Sequence, residues 1–141
     1  MYILETEQSF DSAHFLSGYD GRCKNIHGHH WRVIARLASE NLEEEGQIRG
    51  MVIDFADFKK ALGKHTSAMD HTLIIEEGSL RPITLQVLKE EGFALTLLPF
   101  RPTAENFSRH FFEALRADGI PVSEETVCET PKNRATYREV L

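Results

Sequence analysis

The run Cys23-Lys24-Asn25-Ile26-His27-Gly28-His29-His30-Trp31-Arg32-Val33-Ile34-Ala35-Arg36-Leu37-Ala38 carries both a strand signal and a chemical one. Trp31, Val33, Ala35 and Leu37 alternate with Arg32, Ile34 and Arg36, the period-two pattern of a half-buried strand. A strand that begins at the H-G-H stretch projects His27 and His29 from the same face. Two neutral imidazoles so placed can share a borderline-soft cation, for which zinc is the usual occupant. Gly28 between them leaves room for a close approach by backbone or ligand. Such a site needs a third ligand, and the nearest upstream candidate is His14 in Phe10-Asp11-Ser12-Ala13-His14. The competing reading is coincidence in a chain with seven histidines.

Upstream, strand formers and weak alternation predict a first strand over Tyr2–Ala13, in which Phe10, Ser12 and His14 share one parity. Ser17–Arg22, with two glycines, is a loop, and the acidic stretch Asn41–Gly50 is another. Asp54 is placed to cap a helix over about 55–69, with Phe55, Phe58, Leu62, His65 and Met69 at helical spacing. Pro82 can open a short helix through Glu91, and Phe93–Leu98 can form an added strand. Thr103 is a candidate cap for a second long helix whose stripe is Ala104, Phe107, Phe111 and Leu115, ended by Gly119 and Pro121. Val122–Glu129 and Ala135–Val140 read as a closing strand pair. The order β-β-α-(insert)-α-β-β implies an α+β domain, with helices on one face of a four-stranded antiparallel sheet. The exposed edges of such a sheet invite association, and closure into an oligomeric barrel would remove them.

Length and composition narrow the rest. At 141 residues and 16.1 kDa, the expectation is a single domain spanning 1–141. A hydrophobic fraction of 41% and a charged fraction of 27% are ordinary for a soluble protein. No apolar run reaches the length of a membrane span, and the first residues lack a basic region and cleavage site, so a cytoplasmic location is expected. Two cysteines provide no disulfide framework. A net charge of −6 argues against broad nucleic-acid binding, though not against a small anionic substrate held locally.

Three histidines without an obvious fourth protein ligand would leave a zinc ion an open position, as in catalytic sites. Cys23 is either a fourth ligand closing a structural site or a free thiol. In the second case, flanking Arg22 and Lys24 would favour the thiolate, a competent base. Asp70-His71 is a further acid/base candidate, read as two groups aimed separately by a loop. The alternative for this dipeptide is a helix-end imidazolium beside a solvated carboxylate. Glu129, at a strand end before Pro131, is either solvated or positioned to take two N–H groups from a purine-like or pterin-like ring. Cys128 reads as a packing thiol.

F-D-S-A-H (10–14), C-x-x-x-H-G-H (23–29), M-D-H (69–71), P-T-A-E-N (102–106) and E-T-P (129–131), in this order, resemble the 6-pyruvoyltetrahydropterin synthase superfamily. The resemblance spans nearly the whole chain apart from about 78–101, a segment longer than a minimal connection. It implies the tunnelling fold, in which trimers close antiparallel sheets into a barrel and two trimers stack as a hexamer. The three-residue gap between Cys23 and His27 resembles the 6-carboxytetrahydropterin synthase branch, which acts on 7,8-dihydroneopterin triphosphate in the route to 7-deazapurines and queuosine. The resemblance implies zinc on His14, His27 and His29, Cys23 as base, and Asp70 and His71 as its acid/base partners. It also implies Glu129 as ring anchor, with Thr103 and Glu105 near the pocket. Formation of 6-pyruvoyltetrahydropterin is the alternative activity, and a non-catalytic zinc-stabilised assembly module is the alternative class.

Overall fold

The computed structural model describes residues 1–139. Strands β1 (Tyr2–His14) and β2 (His27–Ser39) form a long antiparallel ribbon, joined through a 3-10 turn at Arg22–Lys24. There follow α1 (Phe55–Ser67), β3 (Leu73–Glu76), α2 (Pro82–Glu90), β4 (Leu95–Leu98), α3 (Ala104–Ala117), β5 (Val122–Cys128) and β6 (Arg134–Arg138). The strands make one sheet in the order β4-β3-β1-β2-β5-β6.

The antiparallel quartet β1-β2-β5-β6 and the two long helices match the expectation, but the sheet is mixed and has six strands. β3 runs parallel to β1, pairing with it at Ala13 and His14, and β4 runs parallel to β3. Together β3, α2 and β4 form a parallel β-α-β unit. The helix from Pro82 and the strand within Phe93–Leu98 are as read from sequence, whereas β3 is not. Its apolar run Leu73-Ile74-Ile75 is too short to display a period. Of the expected last strand, Arg134–Arg138 is seen, and Val140 lies outside the described residues.

One face of the sheet carries Phe10, Trp31, Val33, Ala35, Leu37 and Val127, packed against Phe58 and Leu62 of α1 and Phe107, Phe111 and Leu115 of α3. Phe10 stacks on Trp31 with ring centroids 6.0 Å apart. Truncation of such a buried aromatic typically costs about 3–5 kcal/mol. Two members of the expected α1 stripe are not core. Phe55, the first helical residue, is exposed, and His65 Nε2 lies 2.6 Å from Asp118 Oδ2, tying α1 to the end of α3. Both caps form as expected: Asp54 Oδ1 accepts the Ala56 N–H at 2.7 Å, and Thr103 Oγ1 accepts the Asn106 N–H at 3.2 Å. The other face is charged, with Arg32 bonded to Glu7 through both its Nε and Nη2, and Arg36 to Glu5 and Glu124.

Candidate active site

Strand register assembles the histidines. His14 sits directly opposite His27, and Ser12 opposite His29, so three imidazoles gather on the core side at one end of the ribbon. Their ligand nitrogens all lie within 4.8 Å of one another. The His14 Nδ1–H donates to the Pro102 carbonyl at 2.8 Å, and the His27 Nδ1–H to the Asn25 carbonyl at 2.6 Å. Those bonds fix the tautomers and leave a lone pair on each Nε2. The two Nε2 atoms then face each other at 3.1 Å, an arrangement that lacks a proton and is satisfied by a cation. His29 Nε2 is buried with no hydrogen-bond partner among the described residues, 3.7 Å from Glu129 Oε1. Burial holds His14 down at about 4 against the opposing Pro102 bond, and burial also lowers His29 against the pull of Glu129. Neutral imidazoles are the ligand form, so the three side chains could hold a metal ion. Trp31 packs edge-on against both His14 and His29, with centroids 5.0 and 5.2 Å away.

Cys23 lies in the 3-10 turn, half-buried and unbridged, and its thiol is not part of the ligand cluster. Asp70 and His71 pair with each other, contrary to the expectation of two separately aimed groups: His71 Nδ1 is 3.0 Å from Asp70 Oδ2. The backbone explains this. His71 has φ 57, a left-handed conformation uncommon outside glycine that folds its side chain back on its neighbour. The turn is pinned to β1, since Asp70 Oδ1 accepts the Asp11 N–H at 2.9 Å and the His71 N–H donates to the Asp11 carbonyl at 2.7 Å. The Asp11 N–H, and then His71, hold the Asp70 carboxyl below the usual range. The His71 side chain is 80% exposed. Among the described residues, no hydrogen bond or ion pair joins Cys23 to Asp70 or His71.

Glu129, Thr103 and Glu105 come together in space. With Leu16, Asn133 and Arg134 they line a cleft of about 210 Å³ between the start of α3 and the β5–β6 turn. Thr103 spends its hydroxyl oxygen on the helix cap. Cys128 is fully buried, a packing thiol. Two groups escaped the sequence reading. His30 Nδ1 sits 2.7 Å from Asp11 Oδ1, and both line a cavity of about 480 Å³ with His29 and His71. The third histidine of H-G-H-H was the available signal. Glu125 is fully buried on β5, where nothing in the sequence distinguishes it from its half-buried neighbour Glu124.

A sheet ribbon that ends in three imidazoles able to hold a metal, beside a carboxylate-lined cleft, defines a candidate metalloenzyme of the α+β class. The profile of the 6-pyruvoyl tetrahydropterin synthase family matches residues 3–140, and the chain belongs to that family. It is an enzyme of the pterin synthase kind. It is similar to the 6-carboxy-5,6,7,8-tetrahydropterin synthase of Haemophilus influenzae, 34% identical and covering 99% of this chain and 100% of that protein. The protein of the same name from Synechocystis is 29% identical, with 97% and 93% covered. Among solved structures, the 6-pyruvoyl tetrahydropterin synthase of Caenorhabditis elegans superposes with a TM-score of 0.69 at 25% identity, covering 99% of this chain and 96% of that one. An uncharacterized protein of Wolinella succinogenes shares the fold, with a TM-score of 0.82 at 23% identity and 99% and 98% covered.

Proposed function

We propose that the chain is a zinc-dependent 6-carboxy-5,6,7,8-tetrahydropterin synthase that converts 7,8-dihydroneopterin triphosphate with loss of triphosphate and acetaldehyde, on the route to 7-deazapurines. The observation that carries this is the contact between His29 of the ligand cluster and Glu129 of the ring cleft, which sets a metal position beside a heterocycle position. A zinc ion on His14, His27 and His29 would polarise substrate oxygens and acidify the adjoining C–H and O–H groups. Glu129 takes the adjacent ring N–H and amino donors, a two-point carboxylate contact that fixes the ring. Glu105 lines the same cleft. Cys23, flanked by Arg22 and Lys24, is the base that removes a side-chain proton. Asp70 orients His71 through Nδ1, which leaves the imidazole Nε2 to exchange protons with substrate.

The exposure of His71 and its lack of contact with Cys23 favour a site completed by a neighbouring subunit. Open edges on β1 and β6 favour the same arrangement, with three copies closing a ring and two rings forming a cytoplasmic hexamer. The position of Cys23 outside the histidine cluster favours an enzyme over a closed structural zinc module. The test is incubation of the zinc-loaded protein with 7,8-dihydroneopterin triphosphate, followed by mass analysis of the pterin and an acetaldehyde assay. A carboxylated pterin with stoichiometric acetaldehyde is expected. A 6-pyruvoyl product without acetaldehyde would assign the other activity of the family.

A further inference from the structure

We propose that Arg101 and Tyr19 are positioning residues for Cys23, clamping the loop that carries the thiol against the start of α3. That role rests on Cys23 acting as the base, as proposed above. Residues 15–26 join β1 to β2 and bury little: Phe15 is buried, while 18–20, 22 and 24–26 are exposed. Apolar packing therefore does little to fix Cys23, and polar ties must. Some are internal. The Leu16 N–H donates to the Cys23 carbonyl at 2.8 Å, and the Asn25 N–H to the Arg22 carbonyl at 3.0 Å. Among the described residues, the one hydrogen bond that reaches this loop from beyond the β1–β2 ribbon comes from Arg101.

Arg101 Nη2 donates to the Ser17 carbonyl at 2.9 Å, and the guanidinium carbon lies 5.7 Å from the Tyr19 ring centroid, a cation–π distance. The ring in turn lies on Gly21, which opens the 3-10 turn holding Cys23. A Cβ at position 21 would come 2.6 Å from Tyr19 Cε1. The Gly21 φ of 162 is extended backbone open to any residue, so it is the approach of the ring that requires glycine there. Guanidinium, ring and glycine thus form one stack ending at the thiol's turn. Its other end is fixed, because the Arg101 carbonyl accepts the Thr103 N–H at 2.8 Å and Asn106 Nδ2 at 2.9 Å. The next residue, Pro102, holds His14, so one point at the start of α3 orients both a ligand histidine and the Cys23 loop. The Arg101 Nε–H is buried with no hydrogen-bond partner among the described residues, a desolvation that weakens the case for a purely stabilising role. Arg101 also ends the 78–101 segment, which supplies nothing to the histidine cluster or the ring cleft. A base must lie within hydrogen-bond reach of its proton, and a displacement of about 1 Å can cost about a hundredfold in rate.

Two readouts on the zinc-loaded full chain test this: steady-state turnover of 7,8-dihydroneopterin triphosphate, and the rate at which iodoacetamide alkylates Cys23, located by peptide mass mapping. Gly21→Ala pushes the ring off Arg101 without touching the core. It is expected to lower kcat about ten- to a hundredfold with KM within about twofold, to speed alkylation of the half-buried thiol, and to leave zinc content unchanged. Arg101→Met should do the same, and Tyr19→Phe, which keeps the ring face, should keep both readouts. In a Tyr19→Ala background, where no ring remains to displace, Gly21→Ala should add no further loss. Turnover and alkylation unchanged in Gly21→Ala and Arg101→Met overturn the proposal. Lost turnover with unchanged alkylation overturns it too, as does loss of zinc from Gly21→Ala, which would place the effect on the metal site. A Cys23→Ala chain that still turns over removes Cys23 as the base, and the alkylation rates then decide the clamp by themselves.

Discussion

His14 and His27 confront each other with two lone pairs, and their partners Pro102 and Asn25 prevent either ring from turning a proton into the gap. A bound cation removes that conflict, so a His27→Ala, His29→Ala double variant should lose its metal. Elemental analysis should show about one zinc per chain before substitution and almost none after it. Glu129→Gln puts an amide donor against a ring donor, and the mismatch should cost about 1–3 kcal/mol of pterin affinity by calorimetry while zinc content stays unchanged. Glu125 presents the opposite case, a polar group without an evident partner. Both its oxygens are buried with no hydrogen bond among the described residues, and burial pushes its carboxyl from 4.5 up to about 9, against a smaller opposing effect of Arg36. The folded state therefore keeps a proton that the unfolded chain releases. Its contribution to stability is fully present below about pH 4.5 and is lost as pH rises to about 9. Glu125→Met should raise stability at pH 8 by about 1–3 kcal/mol and flatten that decline. Urea midpoints at pH 5 and pH 8 measure it, and an equal change at both values would show that titration of Glu125 is not the cause.

At the scale of elements, each cap and each long period was legible because local chemistry determines it. Asp54 and Thr103 supply oxygens where two helices leave N–H groups unpaired, and both bond as their positions imply. Asp54→Ala should accordingly cost about 1 kcal/mol by thermal unfolding, while Asp54→Ser should recover most of it. The β1–β2 ribbon was readable since Phe10, Ser12 and His14 share one parity on the first strand and His27 and His29 share one on the second, and the register that sets His14 opposite His27 puts both sets on one face. β3 was not, because four residues contain no period and its pairing partner, β1, lies far back in the chain. The Asp70–His71 contact was also hidden. It depends on a positive φ that histidine rarely adopts, imposed by two bonds to the distant Asp11 backbone. Phe55 misled for a related reason: helical spacing names a stripe but not where the sheet beneath it stops.

At the scale of the whole molecule, the groups to which the proposed reaction gives proton transfer lie apart in the single chain. The ligand histidines point to the core side, Cys23 sits in the loop that precedes β2, and Asp70-His71 hangs from the opposite edge of β1. An imidazole 80% exposed to water is poorly placed for proton transfer, and a neighbouring subunit is what would enclose it. Shared sites make a quantitative prediction. Cys23→Ala and His71→Ala chains should each be inactive when assembled alone, yet each should retain zinc and oligomeric state. If the two are unfolded together and refolded in equal amounts, about one site in four should combine an intact Cys23 with an intact His71 from the adjacent copy. Turnover should then recover to roughly a quarter of that of the unsubstituted enzyme per site. A mixture as inactive as its components, in assemblies shown by mass spectrometry to contain both chains, would place Cys23 and His71 of each site in the same chain.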